Sequence, residues 1–126
     1  MLPSSVLERY FTKSVRQRGA DYFHGRRVRI VHASNSYLEA EVKGSETYEQ
    51  KIAAGGNIFT VACSCPYFRD NLIPCKHLWA VLLASDRESL LGSASSASDV
   101  TLKYGDVFKG EQASTFSARQ FGLARS

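Results

Sequence analysis

Cys63-Ser-Cys65-Pro-Tyr-Phe-Arg-Asp-Asn-Leu-Ile-Pro-Cys75-Lys-His77-Leu-Trp-Ala-Val-Leu-Leu83 is the stretch on which the reading of this chain turns. It holds all three cysteines of the sequence, and a histidine follows two residues after the last of them. An odd count excludes a framework in which every cysteine is paired in a disulfide, and clustered cysteines outside such frameworks serve metals or catalysis. Two close pairs of soft ligands, one at each end of a loop, close a tetrahedral site of the kind Zn²⁺ prefers. In an extended segment Cys63 and Cys65 face the same side, because side chains repeat every two residues. Cys75 sits just before a helix and His77 in its first turn. Cys63, Cys65, Cys75 and His77 are therefore the expected metal ligands, with zinc as cofactor.

Two other readings of the cluster stand beside this one. Buried, inert thiols with a structural histidine are the plainer alternative. A catalytic Cys–His pair is the sharper one, and it requires an activated thiolate, a positioned base and an oxyanion site. Full tetrahedral coordination leaves no open position on the metal, so no enzymatic activity and no catalytic residue are expected. His24 and His32, the other histidines, read as surface or strand residues. Three thiolates and a neutral imidazole leave the zinc-loaded site with one net negative charge, which Lys76 and Arg69, close in sequence, are placed to offset.

Downstream of the cluster the apolar positions follow a helical period over 76–86. Leu78, Val81 and Leu82 form one stripe and Trp79 with Leu83 a second, so the helix is expected to pack on a sheet. Upstream the period is two. Segments 28–33, 37–43, 48–53 and 58–63 read as strands. In the second, Leu38, Ala40 and Val42 alternate with Glu39, Glu41 and Lys43, the pattern of a half-buried antiparallel strand. Asn35-Ser36, Gly44-Ser45 and Gly55-Gly-Asn57 supply the turns. Further upstream, Ser5 with Glu8 and Ser14 with Gln17 have capping-box spacing, predicting helices over 5–11 and 14–24, with Gly25 as a left-handed C-cap. Pro66 and Pro74 bracket a loop read as irregular.

The expected fold class is α+β: N-terminal helices, a small antiparallel sheet, a zinc-bound loop and a closing C-terminal helix. Residues 1–88 form the expected domain. Residues 89–126 begin with a Gly/Ser/Ala run of low complexity and read as a tail without fixed structure. A domain of this size is marginal on burial alone, so metal loss is expected to loosen 63–86 first.

Across all 126 residues the formal net charge is +4, unevenly placed. Residues 1–30 carry +5, residues 31–60 carry −2 and the remainder +1. The front-loaded charge permits contact with a polyanion, though a solvated helix face accounts for it equally. No apolar run approaches the ~20 residues of a membrane span. Residues 1–8 lack a basic segment followed by an apolar one, so an intracellular location is expected, cytoplasmic in a bacterium and nuclear in a eukaryote.

Cys-x-Cys-x₉-Cys-x-His, with Cys-Ser-Cys-Pro at its start and Cys-Lys-His-Leu-Trp-Ala-Val-Leu at its end, resembles the SWIM-type zinc finger. The upstream run Arg18-Gly-Ala-Asp-Tyr-Phe-His-Gly25 and the paired strands resemble the segment that precedes this finger in bacterial SNF2-type helicase-like proteins. The likeness spans roughly residues 14–85. It implies a zinc-stabilised strand-and-helix module that binds DNA or proteins, with the same four ligands. The P-loop of an ATPase, Gly-x₄-Gly-Lys-Ser/Thr, is absent from this sequence.

Two classes of function follow. In the first, Arg16, Arg18, Arg26, Arg27 and Arg29, joined by Lys76, contact the phosphates of DNA and bind it without reading sequence. Tyr22, Phe23 and Tyr67 are placed either in the core or to stack on unpaired bases. In the second, the apolar helix 76–86 and the aromatic-bearing tail dock on a protein partner such as an SNF2-type ATPase. Neither a membrane nor a small-molecule substrate is expected.

Overall fold

Proline lacks an amide hydrogen and is preset to a helical φ, so Pro3 opens the first helix, α1 (Pro3–Leu7), directly after the extended Leu2. The computed structural model describes residues 2–34, 36–55, 57–71, 73–91 and 100–105. The capping box expected at Ser5 does not form. Asp86, distant in sequence, takes that role: its carboxylate accepts hydrogen bonds from the Ser4 amide at 3.2 Å and from the Ser4 hydroxyl. A 3₁₀ turn, Glu8–Tyr10, follows.

The second helix, α2 (Lys13–His24), is capped by Thr12 rather than Ser14, with the Thr12 side-chain oxygen accepting from the Val15 amide at 3.2 Å. At its far end Gly25 keeps a negative φ of −78° and Arg26 takes the left-handed step at 59°. The sequence placed that step on Gly25.

Four strands follow as an antiparallel meander: β1 (Val28–Ala33), β2 (Tyr37–Lys43), β3 (Thr47–Gly55) and β4 (Ile58–Cys63). A register shift in β1 between Ile30 and His32 leaves Val31 exposed. The turn signals at Asn35 and Gly56 lie outside the described residues. The alternation in β2 holds: Leu38, Ala40 and Val42 are buried. Register then stacks Leu38, Ile52 and Val61 across three strands, and Ala40, Gln50 and Cys63 beside them.

After β4 the bracketed loop contains a short helix, α3 (Pro66–Asn71), where the sequence suggested irregular chain. Pro66 starts it, the Arg69 amide donates to the Cys65 carbonyl at 3.1 Å, and buried Phe68 pins it to the core. Next comes α4 (Lys76–Arg87). It packs on the sheet, as its two apolar stripes predict. With α1 and α2 on its other side, it is the centre of the core, and Leu78, Trp79, Val81 and Leu82 are all buried. At the crossing with α2, Gly19 makes the approach possible: a Cβ there would lie 2.7 Å from the Lys76 carbonyl oxygen and 2.7 Å from Trp79 Cβ.

The segment 89–126 is not tail throughout. Residues 101–104 form β5 (Thr101–Tyr104), which pairs parallel with β4 and completes a five-stranded sheet of order β1-β2-β3-β4-β5. A parallel neighbour needs a crossover, and the connection through α3 and α4 supplies it. Leu91, Val100 and Leu102 are buried in the same core, so the domain extends past residue 88. Residues 92–99 and 106–126 of the expected tail lie outside the described residues. The fold is α+β, with helices on one face of the sheet. Among the described residues no helix is long and apolar enough to cross a membrane.

Candidate metal centre

The meander delivers the first two ligands. Cys63 ends β4 on the helix-facing side, directly opposite Gln50 of β3. Ser64 continues the pairing, its amide donating to the Glu49 carbonyl and its hydroxyl accepting from the Glu49 amide, both at 2.9 Å. The chain therefore stays extended for one more residue, and Cys65 returns to the side of Cys63. Cys65 then stands immediately before α3, and a backbone hydrogen bond from Phe68 reaches its sulfur.

The second pair comes from α4. Cys75 is its extended N-cap (φ −107°, ψ 169°), and its carbonyl accepts the first helical bond, from Trp79 at 3.2 Å. An N-cap side chain usually accepts from the helix amides. The Cys75 sulfur makes no such bond and is left for other use. His77, in the first turn, is 4% exposed and is held between Tyr22 of α2 (ring centroids 5.3 Å apart) and Tyr48 of β3 (5.1 Å).

These elements bring Cys63, Cys65, Cys75 and His77 together, all buried, with one ligand atom of each within 4.8 Å of every other. A zinc tetrahedron with Zn–S near 2.3 Å separates its ligand atoms by roughly 3.5–3.8 Å. Cys63 Sγ and His77 Nδ1, at 3.8 Å, already have that separation. Three thiols and an imidazole in this arrangement fit Zn²⁺ in both softness and geometry. The four residues are positioned to bind a zinc ion. All four ligand positions are filled by protein, as in structural rather than catalytic zinc sites.

The protonation of the cluster follows from crowding. Burial pushes the Cys63 thiol up to about 12 and the Cys75 thiol well above its ordinary range. Hydrogen bonds from Cys63 and Cys75 hold Cys65 far below that range, against the opposing effect of its own burial. Zn²⁺ takes thiolates, so its binding would release the protons that burial holds on Cys63 and Cys75.

Gln50 is a residue that the sequence reading passed over. It is fully buried, and its Nε2 donates to the Tyr48 carbonyl at 2.9 Å and to Cys63 Sγ at 3.4 Å. The carbonyl can only accept, and so can the sulfur once it is a thiolate, so only an NH₂ serves both. Among the described residues Oε1 has no hydrogen-bond partner. The signal was a polar residue on the apolar side of an alternating strand, between Tyr48 and Ile52. Bonds of this kind orient ligands and tune metal affinity by 10–100-fold. Gln50→Leu is expected to weaken zinc binding about tenfold or more, measured by competition with a chromophoric chelator. Unchanged affinity would show that the N–H···S bond contributes nothing.

The six cations expected to meet phosphate fall in three places. Arg16 is half-buried, paired with Glu8 at 2.8 Å and bonded to the Phe11 carbonyl at 3.3 Å. Arg18 of α2 and Lys76 of α4 line a cleft of about 480 Å³ beside the cluster, with Lys76 Nζ 5.5 Å from the centre of the Tyr22 ring. Arg26, Arg27 and Arg29 line a second hollow, of about 500 Å³, between the end of α2 and the edge of the sheet, together with Lys43. Of the two cations named as charge partners for the cluster, Lys76 is beside it, and Arg69 is exposed on α3. His24 and His32 are exposed.

Comparison with known proteins agrees with this geometry. Residues 42–86 match the family model of the SWIM zinc finger, a span that takes in β3, β4, α3, nearly all of α4 and every ligand. No curated protein and no solved structure gives a significant match to the chain. The Cys-x-Cys pair leaving a strand, the Cys-x-His pair opening a helix and their four converging ligand atoms all lie within residues 42–86, the part of this chain that matches the SWIM zinc finger.

Proposed function

We propose that this zinc-held domain binds DNA without reading its sequence. The observation that carries the reading is the hollow at the α2–β1 junction. Arg26, Arg27, Arg29 and Lys43 line it with a single acid, Glu41, which pairs with Arg29 at 3.0 Å. All four cations are exposed. Phosphate contacts of this kind supply affinity and orientation but no sequence discrimination.

Backbone strain supports the same surface. Arg26 takes φ 59°, a conformation that costs a side-chain-bearing residue roughly 1–2 kcal/mol and that glycine or asparagine would normally occupy after a helix. That left-handed step sets Arg26 at the junction, beside Arg27 in the lining of the hollow. The surface considered for docking an SNF2-type ATPase lacks such support, because α4 faces the core and is buried along most of its length. For the same reason α4 cannot enter a major groove.

The test is anisotropy with labelled DNA of random sequence, single- and double-stranded, at 50 and 200 mM salt. Three phosphate contacts give an expected loss of about fortyfold in affinity between those salts. Arg26→Glu combined with Arg27→Glu and Arg29→Glu is expected to abolish binding while leaving zinc content unchanged. Retained affinity in the triple variant would refute the assignment.

A further inference from the structure

The second cationic place, the cleft of about 480 Å³ beside the metal centre, has a different character from the hollow at the sheet edge. It is lined by α2, the β2–β3 turn and the starts of α3 and α4, and Cys65, Cys75 and His77 of the cluster are part of that lining. Arg18 of α2 and Lys76 of α4 both line the cleft, and among the described residues no carboxylate does. The zinc-loaded cluster contributes one negative charge at its inner end, so the two cations leave a net positive charge for a ligand.

The aromatic groups divide in role. Tyr22 is committed: its ring packs on His77 and carries the Lys76 ammonium. Tyr67 is 47% exposed at the rim and makes no ring contact among the described residues. That exposure leaves the ring accessible to a planar group. Ser14 and Ser45 add hydroxyls that can donate or accept. The volume is within the ~300–1,000 Å³ of sites that enclose small ligands.

An anionic group held between two cations, a planar ring on an exposed tyrosine and hydroxyls between them describe one chemical unit. We propose that this cleft takes a single unpaired nucleotide, with its phosphate between Arg18 and Lys76 and its base stacked on Tyr67. The assignment rests on the nucleic-acid reading above and deepens it, making the domain a reader of single-stranded segments. A base-paired nucleotide cannot enter, because its faces are already stacked within the duplex. The same chemistry is offered by a nucleotide within a strand or by a free nucleoside monophosphate.

The experiment uses the full zinc-loaded chain and two variants at exposed positions, Tyr67→Ala and Arg18→Ala. Three probes are titrated: a single-stranded oligonucleotide carrying one 2-aminopurine, its duplex, and free deoxyadenosine monophosphate. Base–aromatic stacking predicts a loss of roughly tenfold or more for the single strand in Tyr67→Ala, with duplex binding unchanged. Quenching of 2-aminopurine fluorescence on binding is expected to disappear in the same variant. Tyr67-dependent binding of the monophosphate without oligonucleotide binding would also support the cleft and identify a free nucleotide as the source. If both variants bind the single strand as the parent does, while the Arg26/Arg27/Arg29 triple variant loses it, the cleft assignment is overturned and the DNA reading stands. If neither DNA nor the monophosphate binds, both are overturned.

Discussion

Removal of zinc by a chelator, or Cys75→Ser, is expected to unfold the whole domain. The sequence suggested a milder outcome, in which 63–86 loosens while the front helices and the sheet persist. The packing argues otherwise. Cys75 and His77 fix the start of α4, and α4 is the element against which α1, α2 and β1 to β4 bury their apolar sides. Without it the helices and the sheet face lose the largest part of their shared apolar packing. The magnitudes agree: structural zinc contributes an apparent ~10–16 kcal/mol in finger peptides at neutral pH, against ~5–15 kcal/mol of net stability for a whole domain. Hydrogen exchange followed before and after chelation is the measurement. Protection is expected to vanish in α2 and β2–β3 together with α4. Surviving protection in β2–β3 would show that the sheet stands without the metal.

Gly19→Val carries the second large effect. At an exposed helical position, replacing glycine normally gains stability, by ~1 kcal/mol for alanine. Here the added Cβ would meet the Lys76 carbonyl and Trp79 Cβ, both at 2.7 Å, and neither is the far end of a flexible side chain. The helices must move apart, and overpacking of this kind costs ~1–3 kcal/mol before the two further methyl groups of valine are counted. The steric cost exceeds the propensity gain even for alanine, so Gly19→Ala is expected to destabilise slightly. Gly19→Val is expected to lose about 3 kcal/mol, a fall in Tm of about 12–24 °C for a domain of this size. Lys76 lies between Cys75 and His77, so zinc affinity falls with it. A rise in Tm for Gly19→Ala would mean that α2 and α4 do not cross this closely.

The metal ligands were legible because coordination chemistry needs few residue types at short, characteristic spacings, and all four fall within a fifteen-residue window. The β2 strand was legible because Leu38 to Lys43 alternates without interruption. Where the sequence misled, local signals competed or were too short. Ser5 and Ser14 each offered a capping box, but Pro3 and Thr12 started the helices earlier, and Asp86 capped α1 from across the fold. The two prolines around Pro66–Asn71 disguised a helix that begins on one of them. Thr101–Tyr104 is too short to show a period, and its strand exists because β4 offers an edge. Gln50 reads as an ordinary polar strand residue until register places it opposite Cys63.

Cobalt substitution tests most directly whether Cys63, Cys65, Cys75 and His77 together hold one metal ion. Tetrahedral S₃N coordination is expected to give intense visible d–d absorption and sulfur-to-cobalt charge-transfer bands that saturate at one equivalent. Replacing any one of the three cysteines by serine, or His77 by alanine, is expected to weaken the metal and alter those bands. A weak spectrum typical of six-coordinate cobalt, or a full tetrahedral spectrum that survives loss of one of the four residues, would contradict the site.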